Sequence, residues 1–287
     1  MIILVFFILL TVVQIIVTSL VFPLPVSDMR SVRYRSLPWA TMALILLNTL
    51  VYILWIAPND VGMLMADTDE QFLMELDAYT TTVWTYGFRV TTLREGVSIG
   101  AFITFTSMFM HADFLHLFFN MIYLWAFGRR VEDACGPWRF LLFYLVAGMV
   151  ANMGGAILNP SDIDLPGIGA SGAISGVMGA YLLLFPGARI ACVWGIGLGL
   201  RIIVKIFGNL AGGDVMTWRW TTDFPAILIL IFYAVQNAIP SFEIIQSGDD
   251  FGGVNYLAHL TGFLAAILIF LFVRKDLMMR YVAGRRL

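Results

Sequence analysis

The sequence predicts an all-α fold, a polytopic transmembrane helix bundle, and three observations carry that expectation. Of its 287 residues 60% are hydrophobic and 13% charged, where water-soluble domains average roughly half and a quarter. Seven apolar stretches approach or reach the roughly 20 residues that cross the hydrocarbon core, and polar or Gly/Pro-bearing connections separate them. Lysine and arginine crowd onto alternate connections, the asymmetry that orients a multi-pass protein.

The stretches are 2–21, 39–56, 113–128, 138–158, 169–184, 224–239 and 256–273. The first reads as a retained span rather than a signal peptide. No basic segment precedes it, its apolar run is long, and no small-residue cleavage motif follows. A further apolar segment, 190–207, carries Arg201 and Lys205 among several glycines. It is expected to be interfacial or re-entrant, with its long cations reaching to the headgroups.

With seven spans, Arg30, Arg33 and Arg35 share one side with Arg129, Arg130 and Arg139, with Arg189, Arg201, Lys205 and Arg219, and with the basic stretch after 273. Only Arg89 and Arg94 remain opposite. The C-terminus is therefore expected in the cytoplasm of a cell-membrane protein. Asp67, Asp69, Glu70, Glu75 and Asp77, then Asp162 and Asp164, then Asp249 and Asp250 mark the loops assigned outside. The first of these, 58–110, is too long for a mere connector, and Phe72, Leu73, Trp84, Tyr86 and Phe88 predict that it dips into the outer interface.

Several function classes drop out. The net charge of −2 comes without a basic stripe or stacking motif, so nucleic acid is not an expected partner. Three histidines, no CxxC and no HExxH argue against a metal, and no cofactor motif occurs. Cys135 and Cys192 fall on the cytoplasmic side, where thiols stay reduced. The lack of an internal repeat gives no support to an inverted-repeat transporter.

Polar side chains at membrane depth are costly and mark function by default. Three spans that run from outside to inside carry them: the third has His116 and Asn120, the fifth Ser171 and Ser175, the seventh His259 and Thr261. At about 1.5 Å rise per residue, Ser171, His259, His116 and Asn120 all lie within roughly 10 Å of their helix starts, at one level below the outer surface. His116 and Asn120, spaced i, i+4, share a helix face. Gly172, Gly176 and Gly179 leave the serine helix nearly bare on one side, so the His259 helix, with its own small Ala258 and Gly262, can approach closely. Such contact brings His259 within hydrogen-bond reach of Ser171, as an activated serine requires. Asn120, His116 and the Ser171 backbone N–H are candidate donors for an oxyanion. No carboxylate at this depth offers a third member, so a Ser-His dyad is expected.

The run from Met110 through His111, His116 and Asn120, then Gly128, Glu132 and Gly136, then Gly169-Ala170-Ser171-Gly172, then Ala258-His259-Leu260-Thr261-Gly262, resembles the rhomboid family of intramembrane serine proteases. The resemblance covers about 39–273. It implies a six-helix core cleaving membrane-protein substrates in or near their transmembrane segments, without a cofactor. It also implies Ser171 as nucleophile, His259 as base, and His116 and Asn120 as oxyanion donors. The chain would then divide into an N-terminal span with its linker (1–36), the core (37–273) and a basic tail (274–287), a one-plus-six arrangement. The alternative is an inactive rhomboid-like protein that binds transmembrane clients, a reading that requires loss of the serine or histidine. Two departures stand out. Many bacterial members place, four residues past the nucleophile, a Tyr that packs on the catalytic His, where this chain has Ser175; and the Trp-Arg pair typical of the first outer loop is missing there.

Overall fold

The computed structural model describes residues 13, 16–17, 19–20, 22–28, 34–93, 97–159, 164–210, 220–247 and 254–273. The predicted span 2–21 and the basic tail lie mostly or wholly outside them. The described chain is a helical bundle: β1 (Leu24–Asp28), α1 (Trp39–Met65), α2 (Asp69–Tyr86), α3 (Val97–Thr106), α4 (Phe114–Cys135), α5 (Pro137–Leu158), α6 (Ser171–Leu184), β2 (Arg189–Val193), α7 (Gly195–Leu210), β3 (Thr221–Pro225), α8 (Ala226–Ser247) and α9 (Tyr256–Val273).

Local chemistry explains most boundaries. Within α1 the backbone widens to a π turn over Tyr52–Ile56, just ahead of Pro58, which has no N–H to give and whose ring crowds the carbonyl one turn back. Thr68 caps α2 by accepting the Gln71 N–H, and Asp113 caps α4 by accepting the His116 N–H at 2.8 Å. Between α4 and α5 the chain turns at Gly136 with φ +86°, a conformation that suits glycine, and Pro137 then opens α5 in the first-turn position that tolerates it.

Among the described residues α1, α5 and α8 are each long and apolar enough to cross a membrane. A fourth span results if Phe102–Phe109 and α4, bent by 93° at their junction, are taken as one. α9 and α6 are apolar but shorter in their described parts. α9 packs most extensively on α6 and α5, and those two pack on each other. Small residues make this possible: a side chain on Gly176 would meet the Ala147 Cβ at 2.6 Å and the Gly262 carbonyl at 3.4 Å, and one on Gly155 would meet the Ala258 backbone at 3.0 Å. The core that results runs from Leu44 and Tyr144 through Val177, Tyr181 and Phe127 to Ile190 and Cys192.

The structure adds detail to the expectation in three places. The span expected at 224–239 begins at Ala226 and continues to Ser247 as α8, because Phe224 and Pro225 belong to β3. The segment 190–207 divides into β2, whose Ile190 and Cys192 are fully buried, and the helix α7. The long loop 58–110 is mainly helical; Phe72, Leu73, Trp84 and Tyr86 are exposed along α2, while Phe88 turns inward and bridges Gly167.

β1, β2 and β3 form a three-stranded antiparallel sheet in that order, with Asp28 opposite Ile190 and Ile190 opposite Phe224. The strands come from connections that the charge pattern assigns to one side. The loops assigned to the other side also meet, through an Arg89–Asp164 ion pair at 3.4 Å. At the sheet end Glu132 accepts from the Ala40 N–H (2.9 Å), the Thr41 N–H (2.8 Å) and the Thr41 hydroxyl (2.7 Å). A buried carboxylate thus satisfies free N–H groups at the start of α1 and sits at the favourable end of its dipole. Asp28, also buried, accepts from Arg130 at 2.8 Å and from the Tyr181 hydroxyl at 2.6 Å. Burial, and then the charge of Asp28 beside it, pushes the Tyr34 hydroxyl up to about 12.

Candidate active site

α6 has fourteen residues, about 21 Å at 1.5 Å each, against a hydrocarbon core of roughly 30 Å. The helix is shorter than a full crossing, and Ser171 is its first residue. The close packing of α6 on α9 brings the Ser171 Oγ within 2.7 Å of the His259 Nε2. Both side chains are only partly buried, so the pair is within reach of a substrate.

His116 and Asn120 come from the first turns of α4. Gly169, at φ +125°, has no room for a side chain: a Cβ there would stand 2.8 Å from the His116 Nε2 and 3.6 Å from the Ser171 Oγ. The bare glycine therefore leaves the imidazole facing the serine hydroxyl. His116 accepts the Ala112 N–H at its Nδ1 (3.4 Å), which leaves the ring proton on Nε2, the nitrogen on the serine side. The Asn120 amide nitrogen is buried and, among the described residues, donates to no partner. The Ser171 backbone N–H, opening a helix, has no intrahelical carbonyl to bond. His116 and His259 thus meet Ser171 at one end of the bundle, and Asn120 lies one turn along α4 from His116 on the same helix face.

Thr261 and Ser175, the other polar residues predicted on these spans, are hydrogen-bonded. Thr261 donates to backbone carbonyls, that of Leu257 at 2.8 Å among them. Ser175 donates to the Ser171 carbonyl at 2.7 Å and also meets the Tyr233 hydroxyl, which must then be the donor to the Ser175 Oγ. The Tyr233 ring lies beside His259, centroids 6.3 Å apart. The aromatic neighbour expected four residues past the serine is thus supplied from α8, with Ser175 holding its hydroxyl. In the loop that lacks the Trp-Arg pair, Arg89 lies over the Trp84 ring at 5.2 Å.

One residue of the cluster escaped the sequence reading. Asn237, buried on α8, sets its Oδ1 2.9 Å from the His259 Nδ1 and donates from its Nδ2 to the Tyr233 carbonyl at 2.8 Å. The signal available was an amide near the outer end of an apolar span. By the charge pattern that span runs opposite to the three that carry Ser171, His259, His116 and Asn120. Of the polar, glycine-bearing stretch 241–253 between the last two predicted spans, Ser241–Ser247 forms the last two turns of α8 and 248–253 falls outside the described residues.

The Rhomboid domain model matches residues 100–276, well over half of the chain. The chain belongs to the rhomboid family. It is an integral, multi-pass membrane protein, as the family and its apolar helices require. Among curated proteins it is 37% identical over 108 residues to Rhomboid protease GluP of Bacillus subtilis, covering 38% of this chain and 20% of that one. It is 26% identical to Rhomboid-like protein 11, chloroplastic, of Arabidopsis thaliana, over 57% and 49% of the two chains. It is 33% identical to Rhomboid protein 1, mitochondrial, of Saccharomyces cerevisiae, over 42% and 36%. The match thus spans about half or less of these relatives' own lengths.

Proposed function

We propose that this rhomboid is an intramembrane serine endopeptidase that cleaves transmembrane segments of membrane-protein substrates near their extracytoplasmic ends. The observation that carries the reading is the 2.7 Å approach of the Ser171 Oγ to the His259 Nε2, in a family some of whose members are named proteases.

In this mechanism His259 takes the Ser171 proton as the hydroxyl attacks the scissile carbonyl. The developing oxyanion draws donors from the Asn120 amide, the His116 Nε2–H and the Ser171 backbone N–H, which no competing bonds occupy. His259 then protonates the leaving amine, and a water activated by the same imidazole hydrolyses the acyl-enzyme. No step calls for a metal or cofactor.

The placement of Ser171 also selects substrates. A regular helix keeps its carbonyls in hydrogen bonds, so a substrate span must open locally before it can be cut. Gly, Pro or other helix-weakening residues near the outer end favour this. The protein is proposed to reside in the cell membrane with its C-terminus in the cytoplasm, the core at 37–273 flanked by 1–36 and the basic tail 274–287.

The test is to treat the detergent-solubilised protein with a serine-reactive electrophile, and to compare membrane proteomes carrying wild type or Ser171→Ala. Labelling at Ser171, together with ectodomains released only by wild type, is expected. An unlabelled Ser171 with identical proteomes would favour a client-binding, non-proteolytic rhomboid.

A further inference from the structure

An imidazole can serve as base to Ser171 only if the nitrogen facing the hydroxyl is unprotonated, and in the free ring the two tautomers are of similar energy. Something must hold the proton on the far nitrogen. In this fold the neighbour of the far nitrogen is Asn237. Its amide has two ends with opposite hydrogen-bonding character, and the surroundings decide which end goes where. The Tyr233 carbonyl, 2.8 Å away, can only accept, so it requires the NH2 group. The Oδ1 is thereby turned to the His259 Nδ1 at 2.9 Å. A carbonyl oxygen can only accept, so Nδ1 must carry the ring proton. Nε2 is then bare, 2.7 Å from the Ser171 Oγ and ready to receive its proton.

We infer that Asn237 is a positioning residue of the active site, fixing the orientation and tautomer of His259 so that the working unit is Ser171–His259–Asn237 rather than a pair. The inference rests on the proteolytic reading above. Its logic is that of a buried group ordering the base of a serine protease, with a neutral amide in place of a carboxylate. A neutral partner suits the location: a lone carboxylate at this depth would carry a desolvation cost that an amide avoids. The anchoring is local and stiff, because Asn237 is buried and is tied to the carbonyl one turn earlier on its own helix.

The two ends of the amide can be separated by mutation. Asn237→Leu keeps the branched shape and removes both the acceptor and the NH2. Asn237→Asp keeps an oxygen facing Nδ1 but loses the NH2 donated to Tyr233. With a model transmembrane substrate, Asn237→Leu is expected to lower kcat about 10- to 100-fold at nearly constant KM, a part of the roughly hundred- to ten-thousand-fold a general base supplies. Electrophile labelling of Ser171 should slow in parallel, and Asn237→Asp should recover most of both. Wild-type kcat in Asn237→Leu would overturn the inference. So would an unaltered rate of Ser171 labelling in Asn237→Leu, since the base would then need no partner at Nδ1.

A measurement on the unmutated protein needs no variant to fold. The chain has three histidines, so 15N-histidine labelling yields three ring systems, and His259 should show the Nδ1–H tautomer. An Nε2–H tautomer would overturn the inference. Ser171→Ala separates the two levels: if it retained turnover, the proteolytic reading itself would fail. If it were inactive while Asn237→Leu matched wild type, only the role of Asn237 would fail.

Discussion

At the sheet end of the bundle Glu132 uses both carboxylate oxygens on α1, and Asp28 takes hydrogen bonds from Arg130 and Tyr181. At the serine end the Asn120 amide nitrogen is buried without a partner among the described residues, and Ser171 presents a free helix-start N–H. Both regions bury polar groups in an apolar bundle, and burial exacts the same desolvation cost in each. Saturated groups define structure, because every bond they can make is already made. Groups with capacity to spare beside a nucleophile are the ones a visiting ligand can use. The distinction gives each end its own experimental signature: variants at the sheet end should move stability, and variants at the serine end should move rate.

The largest effect is expected for the serine and its base. Ser171→Ala and His259→Ala should each abolish cleavage of a model transmembrane substrate while thermal unfolding in detergent stays near wild type. The double variant should be no worse than either single, since the pair acts as a unit. A double variant that fell well below both singles would mean that the two side chains act independently.

Next comes the oxyanion donor. Losing one such donor typically costs on the order of 3 kcal/mol, so Asn120→Ala should lower kcat roughly a hundredfold. Because the Asn120 nitrogen makes no bond among the described residues, stability should barely change. A fall in melting temperature at unchanged kcat would transfer Asn120 to the saturated, structural class.

The opposite signature belongs to Glu132→Gln. The substitution keeps the shape and one acceptor but turns an NH2 toward donors on α1, at a cost of about 2 kcal/mol. Unfolding in detergent should shift by several degrees, while kcat measured well below the transition should match wild type. Loss of kcat at intact stability would break the division between the two ends.

Much of this arrangement is legible in the sequence. His116, Asn120, Ser171 and His259 announced themselves as polar residues at one depth, and the glycines around Ser171 foretold the close approach of α9. Two things were hidden, for physical reasons. The sheet joins Leu24–Asp28, Arg189–Val193 and Thr221–Pro225, three short strands far apart in the chain with no hairpin turn linking them, and pairing of that kind leaves no local pattern. Asn237 was hidden because depth alone cannot say which way a side chain on an oppositely running helix points. Similarly, the loss of an aromatic residue at Ser175 is visible in the sequence, while its replacement by Tyr233 from another helix is a tertiary fact.

The smallest effect concerns that replacement, and it tests whether Ser175 and Tyr233 belong to the site or to the scaffold. The Tyr233 ring sits beside His259, and its hydroxyl is held by Ser175, which in turn donates to the Ser171 carbonyl. Tyr233→Phe keeps the ring and removes only the hydroxyl; Ser175→Ala removes the other partner. Each should cost about 1 kcal/mol of stability, the usual net worth of one buried hydrogen bond, and each should slow turnover only a few-fold. If the two hydroxyls serve each other, the double variant should cost little more than either single, giving a coupling energy of roughly 1 kcal/mol in a double-mutant cycle. Tyr233→Leu, which removes the ring as well, should lower kcat further than Tyr233→Phe because His259 loses its aromatic neighbour. Additive stability losses in the cycle would mean that the Ser175–Tyr233 contact contributes nothing. Equal kcat for Phe and Leu at position 233 would show that the ring does not support His259, leaving Asn237 alone in that task.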